Sequence, residues 1–112
     1  MLTRLKVSAG ACGFQTIVKA EKDGKYCVRI VLTSDCESVE ELSVVLERNG
    51  TFQLKEIMAK GDEKNPIFRA SSDVLPHSAC PVRIAIIKAA EVELGLAVPR
   101  PVCMEFESES ET

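Results

Sequence analysis

The residues best suited to chemistry are soft metal ligands placed where the chain must turn. His77, the sole histidine, and Cys80 share one short stretch, Leu75-Pro76-His77-Ser78-Ala79-Cys80-Pro81-Val82, which opens the longest apolar helical pattern of the chain. Cys12 sits in Ala11-Cys12-Gly13, and Cys36 closes Thr33-Ser34-Asp35-Cys36. Three thiolates and an imidazole make a tetrahedral set for zinc or a ligand set for an iron–sulphur cluster. Sulphur ligands select those metals over magnesium or calcium. Asp35 is a nearby carboxylate, able to replace His77 as the fourth ligand or to accept a hydrogen bond behind a ligand. The expected site is therefore Cys12, Cys36 and Cys80, completed by His77 or Asp35. Cys27 and Cys103 fall inside strand patterns and read as small packing residues.

The elements that must position these residues follow from periodicity. Residues 2–9 alternate as a first strand, with Leu5, Val7 and Ala9 against Arg4, Lys6 and Ser8. Gly10 and Gly13 bracket a turn. Residues 14–20 form a second strand with Phe14, Thr16, Val18 and Ala20 on one face. Asp23-Gly24 centres a hairpin turn. Residues 26–33, the most β-branched segment, form a third strand whose Val28, Ile30 and Leu32 face the core.

The period then becomes helical. Ser38-Val39-Glu40-Glu41 predicts a capping box that opens a helix ended by Asn49-Gly50. Residues 51–60 predict a second, shorter helix, and Asn65-Pro66 starts a third that runs to about residue 72. A fourth helix is predicted over residues 81–94, with Val82, Ala85, Ile86, Ala89 and Ala90 on its apolar face. Val102, Met104 and Phe106 alternate with Cys103, Glu105 and Glu107 as a closing strand. Residues 108–112 are acidic and Ser-rich and are expected to be a disordered tail. The fold class is α+β, an antiparallel meander sheet of three to four strands covered on one face by helices. It forms a single domain over residues 1–107.

This order has a geometric consequence. In a meander the first and third strands run the same way, so Cys12 and Cys36, which follow them, lie at the same end of the sheet. A helix packed antiparallel to the third strand brings its N-terminus, with Cys80 and His77, to that end as well. The free N–H groups and partial positive charge of a helix N-terminus favour a thiolate.

The totals narrow the function. A chain of 112 residues fits one domain, and 46% apolar content suffices for a core. A net charge of −3, no Trp and a single Tyr argue against a nucleic-acid partner. No apolar run approaches the roughly 20 residues that span a bilayer, and no signal peptide is evident, so a cytoplasmic protein without membrane contact is expected. Five cysteines in a reducing compartment read as ligands, reactive thiols or core residues. No Ser-His-Asp arrangement, phosphate loop or paired-carboxylate site is evident, so an enzyme is not the leading reading.

The succession of Ala11-Cys12-Gly13, Cys36 before a helix, His77 and Cys80 opening a long helix, and Ile87-Lys88-Ala89-Ala90 within it resembles the iron–sulphur cluster scaffold proteins of the IscU and NifU N-terminal type. The resemblance covers about residues 2–95. The chain also looks like a group of small uncharacterised proteins from anaerobic microbes with the same cysteine pattern. The scaffold resemblance implies a three-stranded meander followed by helices, bound zinc or an iron–sulphur cluster as cofactor, and protein partners in iron–sulphur or sulphur metabolism. Three departures stand out. The aspartate that follows Ala-Cys-Gly in the family is Phe14 here, the His-Cys pair is split by two residues, and the closing strand is additional. That aspartate is associated with cluster transfer, so Phe14 implies a more persistent hold. The expected function is a metal- or cluster-binding protein of scaffold type. The alternatives are a thiol that accepts sulphur or persulphide through Cys36 or Cys80, and a non-catalytic interaction domain.

Overall fold

The computed structural model describes residues 2–108. Its centre is a four-stranded antiparallel sheet in the order β1-β2-β3-β4. β1 (Leu2–Ser8), β2 (Gln15–Lys22) and β3 (Cys27–Ser34) form the expected meander. Register places Leu5 opposite Val18, and Val18 opposite Leu32. One face is thus a continuous apolar row, and Val18, Ala20, Val28 and Ile30 on it are fully buried. The other face carries Arg4, Lys6, Lys19 and Arg29. The hairpin between β2 and β3 closes through Asp23 N–H to the Cys27 carbonyl (2.9 Å), and the exposed Asp23 carboxylate pairs with Arg29 (2.7 Å).

Four helices cover the apolar face. α1 (Glu37–Asn49) packs on β3, and α4 (Val82–Glu93) lies across β1 and β2. α2 (Leu54–Ile57) is a single turn, and α3 (Pro66–Val74) packs on α1. The α4 face read from the sequence is buried as expected, while Ile84 stays 49% exposed. Asn65 caps α3 through its Oδ1, which accepts from the Ile67 and Phe68 amides, and its Nδ2 donates to the Ile57 and Ala59 carbonyls. One asparagine therefore ties two helices together with its amide fully used.

Several local expectations are corrected. Residues 51–60 are not one helix, because Thr51–Gln53 is β4, paired with the start of β3, and only then does α2 begin. The exposed backbone of β3 outweighs the helical pattern here, and pairing on it buries Phe52 opposite Val28. The Ser38 capping box is absent. α1 starts at Glu37 with Cys36 in the capping position, held from below by Ser34, whose Oγ accepts from the Cys36 amide (3.1 Å). Pro81 precedes α4 instead of opening it. Phe14 lies outside β2 and is 40% exposed.

The closing strand at 102–106 does not form. α4 stops in a left-handed Gly95 (φ 80°), with Leu96 N–H bonding the Glu91 carbonyl and Gly95 N–H the Val92 carbonyl. Residues 95–108 then run exposed, without helix or strand. Alternation supplies a face for a strand but not a neighbour, and this segment lies beside neither sheet edge. Cys103 is accordingly exposed instead of packed. The expected disordered tail lies outside the described residues except for Ser108.

Candidate functional site

The turn after β1 is built by two glycines. Gly13 N–H bonds the Gly10 carbonyl (2.9 Å) and Ala9 N–H the Phe14 carbonyl (3.1 Å), with positive φ at both glycines, 86° and 74°. Any other residue would be strained there, and the tight turn carries Cys12 outward. Cys36 comes from the junction of β3 and α1. There the Ser34 hydroxyl accepts from Thr16 Oγ1 (2.8 Å) and from the Cys36 amide, and donates to the Gln15 carbonyl (3.2 Å). This network locks the Cys36 backbone to the ends of two strands. His77 and Cys80 share a turn closed by Cys80 N–H to the His77 carbonyl (3.2 Å), immediately before α4.

These three turns converge. A cavity of about 60 Å³ is lined by Cys12, Cys36, His77 and Cys80, with Phe14, Val39, Leu75 and Val82 among its apolar walls. Cys12 and His77 sit on the exposed side, whereas Cys36 and Cys80 are half-buried. Asp35 is exposed and is not part of the lining, although it neighbours Cys36 in sequence. Cys27 lies at the other end of β3, beside Tyr26 and Gln53, far from these turns along the strand.

The donor chemistry fits a soft metal, since three thiols and an imidazole border one small cavity with apolar walls. Among the described residues, no three His, Cys, Asp or Glu side chains are already placed around a common point as a metal would require. The expected mutual spacing of the three sulphurs, within roughly 4 Å, is therefore not present as a closed set. Cys12 rides on an exposed turn, whereas Cys36 holds the capping position of α1 and Cys80 lies just before α4.

The opposite end of the sheet holds a polar group that sequence reasoning missed. Glu93, in the last turn of α4, is 6% exposed; its Oε1 accepts from Thr3 Oγ1 (2.7 Å) and its Oε2 from the Lys22 amide (2.9 Å). Ser43 is a second case, buried in α1 and accepting from the Leu32 amide at the unpaired side of β3 (2.9 Å). Neither has a local signal. Both are long-range partners of strand backbone, and only the packed arrangement reveals them.

Among the described residues no helix is long and apolar enough to cross a membrane. No curated protein and no solved structure matches the chain. A family of unknown function, DUF6951, matches residues 3–106, a span that takes in the sheet, all four helices and every cysteine, and the chain belongs to that family.

Proposed function

We propose that the protein binds a soft metal, zinc or an iron–sulphur cluster, and works as a binding or scaffold protein of the IscU and NifU N-terminal kind. The observation that supports this reading is the meeting of Cys12, Cys36, His77 and Cys80 around one cavity from three turns far apart in sequence. Core packing needs no such convergence of thiols, and a buried cysteine serving as a small hydrophobe would not be paired with a histidine at a turn. Cys36, Cys80 and Cys12 are the thiolate ligands, and His77 is the fourth. When bound, zinc would hold the three turns together, and a cluster would add an iron–sulphur centre available for storage or hand-over. Leu75, Val39 and Val82 exclude water from the inner side of the ligands, and Phe14 covers the outer side beside Cys12. An apolar wall of this kind slows ligand exchange, which favours retention over rapid transfer. Asp35 takes no ligand role in this proposal, because it lies outside the cavity.

A second reading has one observation in its favour: the ligands are not assembled around a common point. A half-buried cysteine at a helix start, Cys36, next to an apolar cavity also suits a thiolate that takes the outer sulphur of a donor protein's persulphide and releases the donor's thiolate. Protein purified without oxygen separates the two. Stoichiometric metal, with Cys12, Cys36 and Cys80 protected from alkylation until a chelator is added, is the outcome expected here. Metal-free protein with one fast-alkylating cysteine would replace the metal reading with the thiol one.

A further inference from the structure

β1 is an outermost strand, paired only with β2. Its inner-face residues Leu5 and Val7 remain half-buried, although their cross-strand partners Val18 and Thr16 are fully covered. The open side of β1 therefore leaves apolar surface uncovered and a row of backbone groups without a strand partner. On its outer face β1 presents Arg4 and Lys6, and Arg4 stands directly opposite Lys19, so the edge is basic without an acidic neighbour in that cross-strand pair.

The exposed arm after α4 has the complementary pattern. Val102 is 62%, Met104 84% and Phe106 107% exposed, an unusual state for three large apolar side chains at every second position. The residues between and after them are Cys103, Glu105 and Glu107. Laid beside β1 as a strand, this segment would extend the inner apolar row with Met104 and Phe106, and would set Glu105 and Glu107 beside Arg4 and Lys6. Opposite charges on neighbouring strands of one face are favourable, and the alternation matches the pleat. Pro99 and Pro101 keep the linker extended. The family match runs to Phe106, so the arm belongs to the family's unit.

From this complementarity we infer that residues 102–106 form an added edge strand on β1 of a second copy of the chain, giving a reciprocal two-fold dimer. The arm departs from its own body at Gly95, and in the monomer it runs exposed and, among the described residues, pairs with no strand. A second copy is the one partner certain to carry both the basic edge and the acidic, apolar strand. Exchange of the arm in both directions closes the assembly, uses both open edges and needs no refolding of either core.

The test is sedimentation velocity of the full chain under reducing conditions over a concentration series, with hydrogen exchange of the 102–106 amides. A concentration-dependent dimer whose arm amides slow with dimerisation is expected. The double variant M104D/F106D changes only exposed side chains and is expected to remain monomeric. R4E/K6E is expected to weaken association about tenfold, and E105K/E107K added to it to restore most of the loss. A chain that stays monomeric at every concentration overturns the inference, including one whose arm amides are protected, since that would place the arm on its own edge. A dimer unaffected by M104D/F106D overturns it as well, because another surface would then hold the copies together.

Discussion

The two ends of the sheet are made from the same strands and the same helix, yet they treat polar groups in opposite ways. At the end where β1 begins and β2 finishes, Glu93 reaches in from α4 and both of its oxygens are used, one by Thr3 and one by Lys22. At the other end α4 begins, and there Cys12, Cys36, His77 and Cys80 border a cavity instead of closing on one another. A buried carboxylate that accepts a hydrogen bond on each oxygen holds strands in place. Soft donors around an unfilled space have the capacity to take a ligand. The difference separates a clasp from a site, and it does so without reference to any relative.

The largest expected effect tests the site end. Cys36→Ala and Cys80→Ala each remove a proposed ligand and are expected to lower metal affinity roughly 100-fold or more, beyond the 10–100-fold typical for a group behind a ligand. Competition against a chromogenic chelator measures this, and unchanged affinity in both variants would end the distinction between the two ends. Next comes the clasp. Glu93→Ala strands the Lys22 amide and the Thr3 hydroxyl and is expected to cost about 2 kcal/mol in urea unfolding of the metal-free protein. Metal stoichiometry should be unchanged, and a loss of binding would mean that the ends are coupled.

Ser34→Ala sits between these cases, because its hydroxyl serves Thr16, Gln15 and the Cys36 amide together. An affinity loss of about tenfold is expected, with a stability loss of about 1 kcal/mol; calorimetry with and without metal reads both. Phe14→Asp exposes the Cys12 side of the cavity and adds an oxygen ligand. Release to a chelator should accelerate about tenfold under anaerobic conditions, and equal rates would remove the support for retention. Cys27→Ala and Cys103→Ala should leave metal content as it is, because one thiol lines a different surface and the other sits on the exposed arm.

Much of this organisation was legible in the residues. The meander, the Asn65 cap and the buried face of α4 follow from alternation, turn residues and helical spacing, all of them local signals. The placement of Cys12 and Cys36 at one end followed from strand direction, and that of Cys80 from the direction expected of the helix it precedes. What failed was non-local. Thr51–Gln53 is a strand because the start of β3 offers it backbone partners, and residues 102–106 are not one because no partner stands beside them. Ser38 looked like a cap, but Ser34, two residues before the cap position, already holds the Cys36 amide. Asp35 resembled a ligand by proximity in sequence, yet it is exposed and does not line the cavity that its neighbour Cys36 borders. Periodicity records which face a segment offers, and the identity of the opposite face is decided elsewhere in the chain.

The position of α4 over β1 and β2 has a consequence for how the protein is made. The first two strands emerge from the ribosome early, but the helix that covers them is the last regular element; the Lys22 amide and its Glu93 partner are 71 residues apart. At about 5–20 residues per second, Val18 and Ala20 face water for several seconds before their cover exists. Cys12 is synthesised before that wait and Cys36 during it, with no cavity to shelter either. In the proposed metal-binding role the full donor set is assembled only after α4 docks, so the last helix sets the time at which a nascent chain becomes competent, and a chain released before residue 93 carries free thiols beside an uncovered apolar sheet.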